Sequence, residues 1–119
     1  MYNSKEIKQF IDLVAEVADP DKIILFGSYA YGVPDDKSDL DLLVIKNGKE
    51  FSREEHADLS TAVYLKRAQY NISTRYDVFF RTEKQVQESA ESGGAFLDAL
   101  QKGQVVYERT NQQKSRIAI

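Results

Sequence analysis

Asp39 and Asp41 stand two residues apart in the run Asp39-Leu40-Asp41-Leu42-Leu43-Val44-Ile45. In an extended strand, alternate side chains leave opposite faces, so both carboxylates project from one face while Leu40 and Leu42 turn to the core. Two ionised carboxylates held side by side repel each other strongly at low dielectric. A fold keeps them there when a cation sits between them or when both reach water. Oxygen ligands alone, without histidine or cysteine, favour Mg²⁺, which retains waters and takes its other ligands from carboxylates and substrate phosphates.

Asp77 lies in the run Arg75-Tyr76-Asp77-Val78-Phe79-Phe80-Arg81, rich in strand formers. An aspartate buried there unpaired would cost on the order of several kcal/mol. Two arrangements relieve that cost. If its strand lies beside the Asp39–Ile45 strand, Asp77 completes a cluster of carboxylates around metal. Alternatively it pairs with Arg75 or Arg81, which share its face at period two. Gly27-Ser28 ends another apolar run: glycine lets the backbone approach a phosphate closely, and the serine hydroxyl and the following amides can donate to its oxygens. The same dipeptide can also merely turn the chain. A Walker-type phosphate loop is excluded, because no lysine follows in the required place.

The elements that must position these residues are legible from periodicity. Ile7, Phe10, Ile11, Val14, Val17 and Ala18 recur at helical spacing. Asn3 and Glu6 form a capping box ahead of them, and Asp19-Pro20 stops the helix. Lys22 to Phe26 reads as a buried strand, Tyr29 to Tyr31 as one helical turn stopped by Gly32, and Val33 to Ser38 as a loop. Asp39 to Ile45 is the next strand, ended by the Asn47-Gly48 turn. Ser52 and Glu55 open a helix whose inner face carries Leu59, Ala62, Val63 and Lys66; His56 in its first turn is expected at the surface. After the strand at 75–81, Thr82 and Gln85 cap a short helix to about Ala90. Ala95 to Gln101 is expected to be helical, and Gln104 to Tyr107 to be a final edge strand. Tyr29 and Tyr31 border the Gly27-Ser28 turn, where packing around it, stacking on a base and facing a partner all stay open. Strands alternating with helices give an α/β or α+β class with a mixed sheet.

The chain has 119 residues, enough for one core. One domain is expected over 1–109, and the polar stretch 110–119 is expected to be a flexible tail. A net charge of −3 offers no overall basic field to nucleic acid, and Lys66, Arg67, Arg75 and Arg81 are expected to form a solvated rim. No cysteine is present, so disulfides and thiolate zinc sites are excluded. Without a leader-like or membrane-length apolar run, a cytoplasmic protein is expected.

Taken together, FGSYAYGVPDDKSDLDLLVI resembles the signature of the DNA-polymerase-β-like nucleotidyltransferase superfamily: Gly27-Ser28, a ten-residue spacer, then Asp39-x-Asp41 entering an apolar strand. Asp77 in RYDVFF matches the third carboxylate of that family. The resemblance implies a palm-like mixed sheet flanked by helices, and it implies roles. Gly27 and Ser28 would hold the β- and γ-phosphates, Asp39 and Asp41 would bind two Mg²⁺ ions, and Asp77 would hold the acceptor-side metal and help take the proton from the attacking hydroxyl.

The chain looks most like the minimal nucleotidyltransferases that accompany HEPN proteins in toxin–antitoxin modules. That likeness implies an antitoxin transferring AMP from ATP to a tyrosine of a HEPN ribonuclease, with part of the site walled by the partner chain. Two other readings fit the same residues: a non-catalytic antitoxin that acts by docking, and a nucleotidyltransferase acting on aminoglycoside-like small molecules.

Overall fold

The computed structural model describes residues 1–48, 52–94 and 96–109, and the backbone of 115–117. Helix α1 (Ser4–Ala18) opens on the capping box expected of Asn3 and Glu6: the Glu6 amide donates to Asn3 Oδ1 at 2.9 Å and the Asn3 amide to Glu6 Oε1 at 3.3 Å. It ends at Asp19, which takes up a left-handed φ of 47°. Its stripe of Ile7, Phe10, Ile11, Val14 and Ala18 is buried. Strand β1 (Lys22–Phe26) follows, then the short helix α2 (Ser28–Tyr31) and strand β2 (Leu40–Ile45).

Helix α3 (Arg53–Gln69) is capped by the Ser52 hydroxyl, which accepts from the Glu55 amide at 3.0 Å. Strand β3 (Tyr76–Arg81) leads into α4 (Glu83–Glu91), whose Thr82–Gln85 capping box is complete. Helix α5 (Phe96–Lys102) and strand β4 (Gln104–Arg109) come next, and Ser115–Ile117 form β5. Strand β4 is interior, between β1 and β5, rather than the expected edge. The remainder of the expected flexible tail, 110–114 and 118–119, lies outside the described residues, as does Ala95.

The five strands make one mixed sheet in the order β3-β2-β1-β4-β5. β1 runs antiparallel to both β2 and β4, whereas β2 and β3 are parallel. A parallel pair cannot be joined by a hairpin, and α3 lies on the connection between β2 and β3. Both faces of the sheet are covered, which explains the unbroken apolar runs of β1 and β2. One cluster joins Ile23, Leu25, Leu40, Leu42, Val44 and Phe80 to α1 and to Val63 of α3. The other joins Ile24, Leu43 and Ile45 to Val86 of α4 and to Phe96 and Ala99 of α5.

Gly103 lets α5 turn tightly into β4. A Cβ there would overlap the Ala99 carbonyl and stand 2.6 Å from Ile24 Cγ2. Because β1 is antiparallel to β2 and β2 is parallel to β3, the end of β1 and the beginnings of β2 and β3 meet at one edge of the sheet. That edge receives Gly27-Ser28, Asp39, Asp41 and Asp77.

Two substitutions test this account of the core and caps. Thr82→Ala removes the buried cap oxygen that accepts from the Gln85 amide at 3.1 Å; a loss of about 1 kcal/mol is expected in urea denaturation. Phe10→Ala empties a fully buried site against Tyr76, and a loss of roughly 3–5 kcal/mol is expected. Equal losses from the two would contradict this assignment of roles.

Candidate active site

Parallel pairing of β2 with β3 sets Asp41 directly beside Asp77, and Phe26 of β1 occupies the same row on the other side of Asp41. As register partners on parallel strands, the two side chains leave the same face of the sheet, so their carboxyl groups are near neighbours. Burial first, then the charges of Asp77 and Asp39, push the Asp41 carboxyl up to about 6. Asp77 itself is exposed. Among the described residues it has no arginine or lysine partner, so the sequence alternative of an ion pair to Arg75 or Arg81 is not adopted.

The arginine goes to a different acid. Arg75 Nε lies 3.3 Å from Asp39 Oδ1, with side chains 50% and 41% exposed. A pair so open to water contributes about 0.2–1 kcal/mol. Arg75 Nη2 also donates to the Asp36 carbonyl at 2.9 Å.

Gly27 joins the turn to the carboxylates. Its φ of +74° is the left-handed region that glycine adopts without strain. A Cβ at this position would collide with Asp41 Oδ2. The glycine is therefore required twice, by conformation and by the acid packed against it. Ser28 begins α2, and its hydroxyl and the first amides of the turn are the groups able to donate to a phosphate. Tyr29 is held by Tyr2: the rings stack at 5.9 Å, and the Tyr2 amide donates to Tyr29 Oη at 3.0 Å. Tyr31 is partly exposed, with Lys102 Nζ 5.9 Å from its ring centre.

Among the described residues, no three His, Cys, Asp or Glu side chains close into a ready-made cation cage. The donor set still fits a divalent ion held by few protein ligands. Asp41 and Asp77 are adjacent hard oxygen donors at an open sheet edge, and Mg²⁺ completes its shell with water and phosphate oxygens. Asp39 would join them on leaving Arg75. A cavity of about 600 Å³ lies elsewhere, between α1 and the turn after α3, lined by Glu6, Asp12, Glu16 and Tyr70 among others. It contains none of the five residues singled out by sequence. The sequence-predicted residues therefore stand at an open sheet edge and not in this cavity.

Several side chains sit differently from their sequence expectation. His56 is half-buried rather than a surface residue: its ring packs edge-on to Phe80 at 5.5 Å, Nε2 is buried without a partner, and burial followed by the charge of Arg81 lowers its pKa. The expected basic rim is dispersed. Lys66 pairs with Glu16, and Arg67 lies over Tyr64 and Tyr76 and donates to the Thr74 carbonyl. Arg81 lies over Phe79 and Phe96. Sequence reasoning missed Arg75 as the partner of Asp39, although both lie at strand beginnings. It also missed Tyr2, for which no periodic signal exists.

The model of the nucleotidyltransferase domain family matches residues 7–97. The chain belongs to that family. This nucleotidyltransferase-domain chain gives no match among curated proteins. Among solved structures it is similar to a protein from Sulfolobus solfataricus assigned as a nucleotidyltransferase, at 20% identity and a TM-score of 0.58, covering 88% of this chain and 79% of that one. It is also similar to a structure described as a toxin–antitoxin with AMP-PNP, at 21% identity and a TM-score of 0.52, covering 93% and 77%. At these identities the likeness is one of fold. No helix among the described residues is long and apolar enough to cross a membrane.

The raised Asp41 carboxyl has a definite sign. A folded-state value of about 6 against 3.8 means that the folded state binds a proton more tightly, so stability falls as pH rises from about 4 to about 6 and stays reduced above. Asp77→Asn removes the neighbouring charge. The expected outcome without divalent ions is a melting temperature higher by roughly 3–6 °C at pH 7.5, vanishing below about pH 5. A gain of equal size at both pH values, or none, would contradict the like-charge pairing.

Proposed function

We propose that this nucleotidyltransferase-domain chain transfers AMP from ATP, with Mg²⁺, to the hydroxyl of a tyrosine on a partner protein of the HEPN ribonuclease type, and thereby acts as the antitoxin of a toxin–antitoxin pair. The observation that carries the transfer chemistry is the pairing of Asp41 with Asp77 across β2 and β3, with Gly27 packed against Asp41. Like charges forced together at an exposed sheet edge are stabilised by a divalent ion. Gly27 lets the turn pack directly against the Asp41 carboxylate, which sets the phosphate-binding turn beside the acids.

Gly27 and Ser28 bind and orient the triphosphate tail: the glycine permits close approach, and the serine hydroxyl donates to phosphate oxygens. Asp39 and Asp41 would be the ligands for two Mg²⁺ ions, and Asp77 would hold the ion on the acceptor side. When bound, the ions neutralise the charge that builds on the phosphoryl oxygens and the leaving group. Asp77, exposed and without a basic partner, accepts the proton of the attacking hydroxyl. The acceptor oxygen bonds to the α-phosphorus as the bond to the bridging oxygen breaks, and pyrophosphate leaves. The protein acceptor is supported by the fold likeness to a structure described as a toxin–antitoxin with AMP-PNP. The HEPN identity rests on the sequence resemblance.

Intact-mass analysis after incubation with the HEPN protein, ATP and Mg²⁺ tests this reading. One or more AMP additions on a partner tyrosine are expected, slowed at least about 100-fold by Asp41→Asn or Asp77→Asn. Neutralisation of the partner without an adduct would favour docking instead. An adduct on an aminoglycoside alone would favour small-molecule transfer.

A further inference from the structure

We propose that Arg75 is a stand-in cation, holding Asp39 in the ion-free chain and, when a divalent ion and a nucleoside triphosphate enter, releasing Asp39 to the ion and turning to the phosphates. This inference rests on the function proposed above and adds a residue that the family motif does not contain.

The edge that carries the site is strongly acidic: Asp35, Asp36, Asp39, Asp41 and Asp77 all lie in the loop before β2 or at the beginnings of β2 and β3. Arg75 is the guanidinium set among them. It is 3.3 Å from Asp39 Oδ1 and bonded to the Asp36 carbonyl. The Asp35 carboxyl is held below its usual range chiefly by the Lys37 amide and the Ser38 hydroxyl, with a smaller pull from the charge of Arg75. Among the described residues, three other cations stand near: the Met1 ammonium pairs with Asp36 at 3.0 Å, Lys37 belongs to the loop itself, and Lys102 lies over Tyr31 with Asp98 3.9 Å away. Of the four, Arg75 is the one paired with Asp39.

Arg75 has a fixed stem and a loosely held head. Its amide donates to Tyr2 Oη at 2.8 Å and its carbonyl accepts from the Leu40 amide at 3.0 Å. Tyr2 in turn holds Tyr29, the neighbour of Ser28. The stem is thus tied to the turn that would seat the phosphates. The head is half exposed, and an ion pair of that kind is worth at most roughly fivefold in equilibrium. A divalent ion outcompetes it for Asp39. A freed guanidinium then finds in a phosphate group a geometry it binds bidentately, more strongly than it held one carboxylate oxygen.

The two halves of the exchange have opposite signs, which a merely structural arginine would not produce. Removing Arg75 deprives Asp39 of its competing cation, so a bare metal ion binds more tightly; it also removes a phosphate ligand, so the nucleotide binds more weakly. Mn²⁺ binding is measured by electron paramagnetic resonance of the free ion, and AMP-PNP binding by calorimetry at saturating Mn²⁺. Folding is checked by melting temperature.

For Arg75→Gln, Mn²⁺ affinity is expected to rise roughly 2–5-fold and AMP-PNP affinity to fall at least about 10-fold. Lys37→Gln makes the same charge change in the same loop and is expected to move either value by less than about twofold. If Arg75→Gln does not fold, Arg75→Lys carries the test, with the same opposed shifts at smaller size. Shifts of the same sign, no shift, or an equal effect from Lys37→Gln would overturn the proposal while leaving the transfer function standing. A wild-type chain that binds neither Mn²⁺ nor AMP-PNP would instead remove the function proposed above, and this inference with it.

Discussion

The structure depends on one pairing, the parallel register that sets Asp41 of β2 beside Asp77 of β3. Parallel strands need a crossover, and α3 lies on it, which brings two segments far apart in sequence to begin at the same sheet edge. An antiparallel β1 then delivers Gly27 to that edge, against Asp41. Slipping β3 by one residue would turn Asp77 to the opposite face, where α1 and α3 pack, and bring Tyr76 or Val78 to the acids instead. The apolar residues on both faces of β2 resist that slip, because Leu40, Leu42 and Val44 serve one core cluster and Leu43 and Ile45 the other.

The same register explains why the fold carries a destabilised acid at all. A sheet edge with adjacent carboxylates is a local conflict in a chain whose caps, apolar stripes and turns otherwise agree with one another, and such conflicts concentrate at functional positions. Two features moderate it within the protein. Asp41 keeps its proton to a higher pH than an ordinary aspartate, and Arg75 offsets part of the charge of Asp39. At the other end of β3, Arg81 lies over Phe79 and Phe96, so this strand carries a charged group at each end of a rigid aromatic segment.

Much of the fold was legible because its signals are local. The Asn3–Glu6 and Thr82–Gln85 capping boxes, the α1 stripe and the apolar runs of β1 and β2 each depend on residues within a few positions, and each formed as read. The three aspartates and the glycine-serine turn were legible as types. Their convergence was not, since it depends on strand order, and the sequence left Asp77 open between the acid cluster and an arginine. What escaped was nonlocal. β4 became interior because Ser115–Ile117 pair with it, and nothing in that polar stretch marks a strand. His56 lies half-buried because β3 places Phe80 beneath it, and Arg75 reaches Asp39 across strands rather than its period-two neighbour.

The central claim is that Asp41 and Asp77 are held together for a divalent ion to bind between them. Anomalous diffraction from crystals equilibrated with Mn²⁺ at neutral pH tests it most directly. The account predicts a peak bonded to an oxygen of each carboxylate at about 2.0–2.3 Å. Crystals in which no ion joins Asp41 to Asp77 at saturating Mn²⁺, with the ion absent or bound elsewhere, would contradict it.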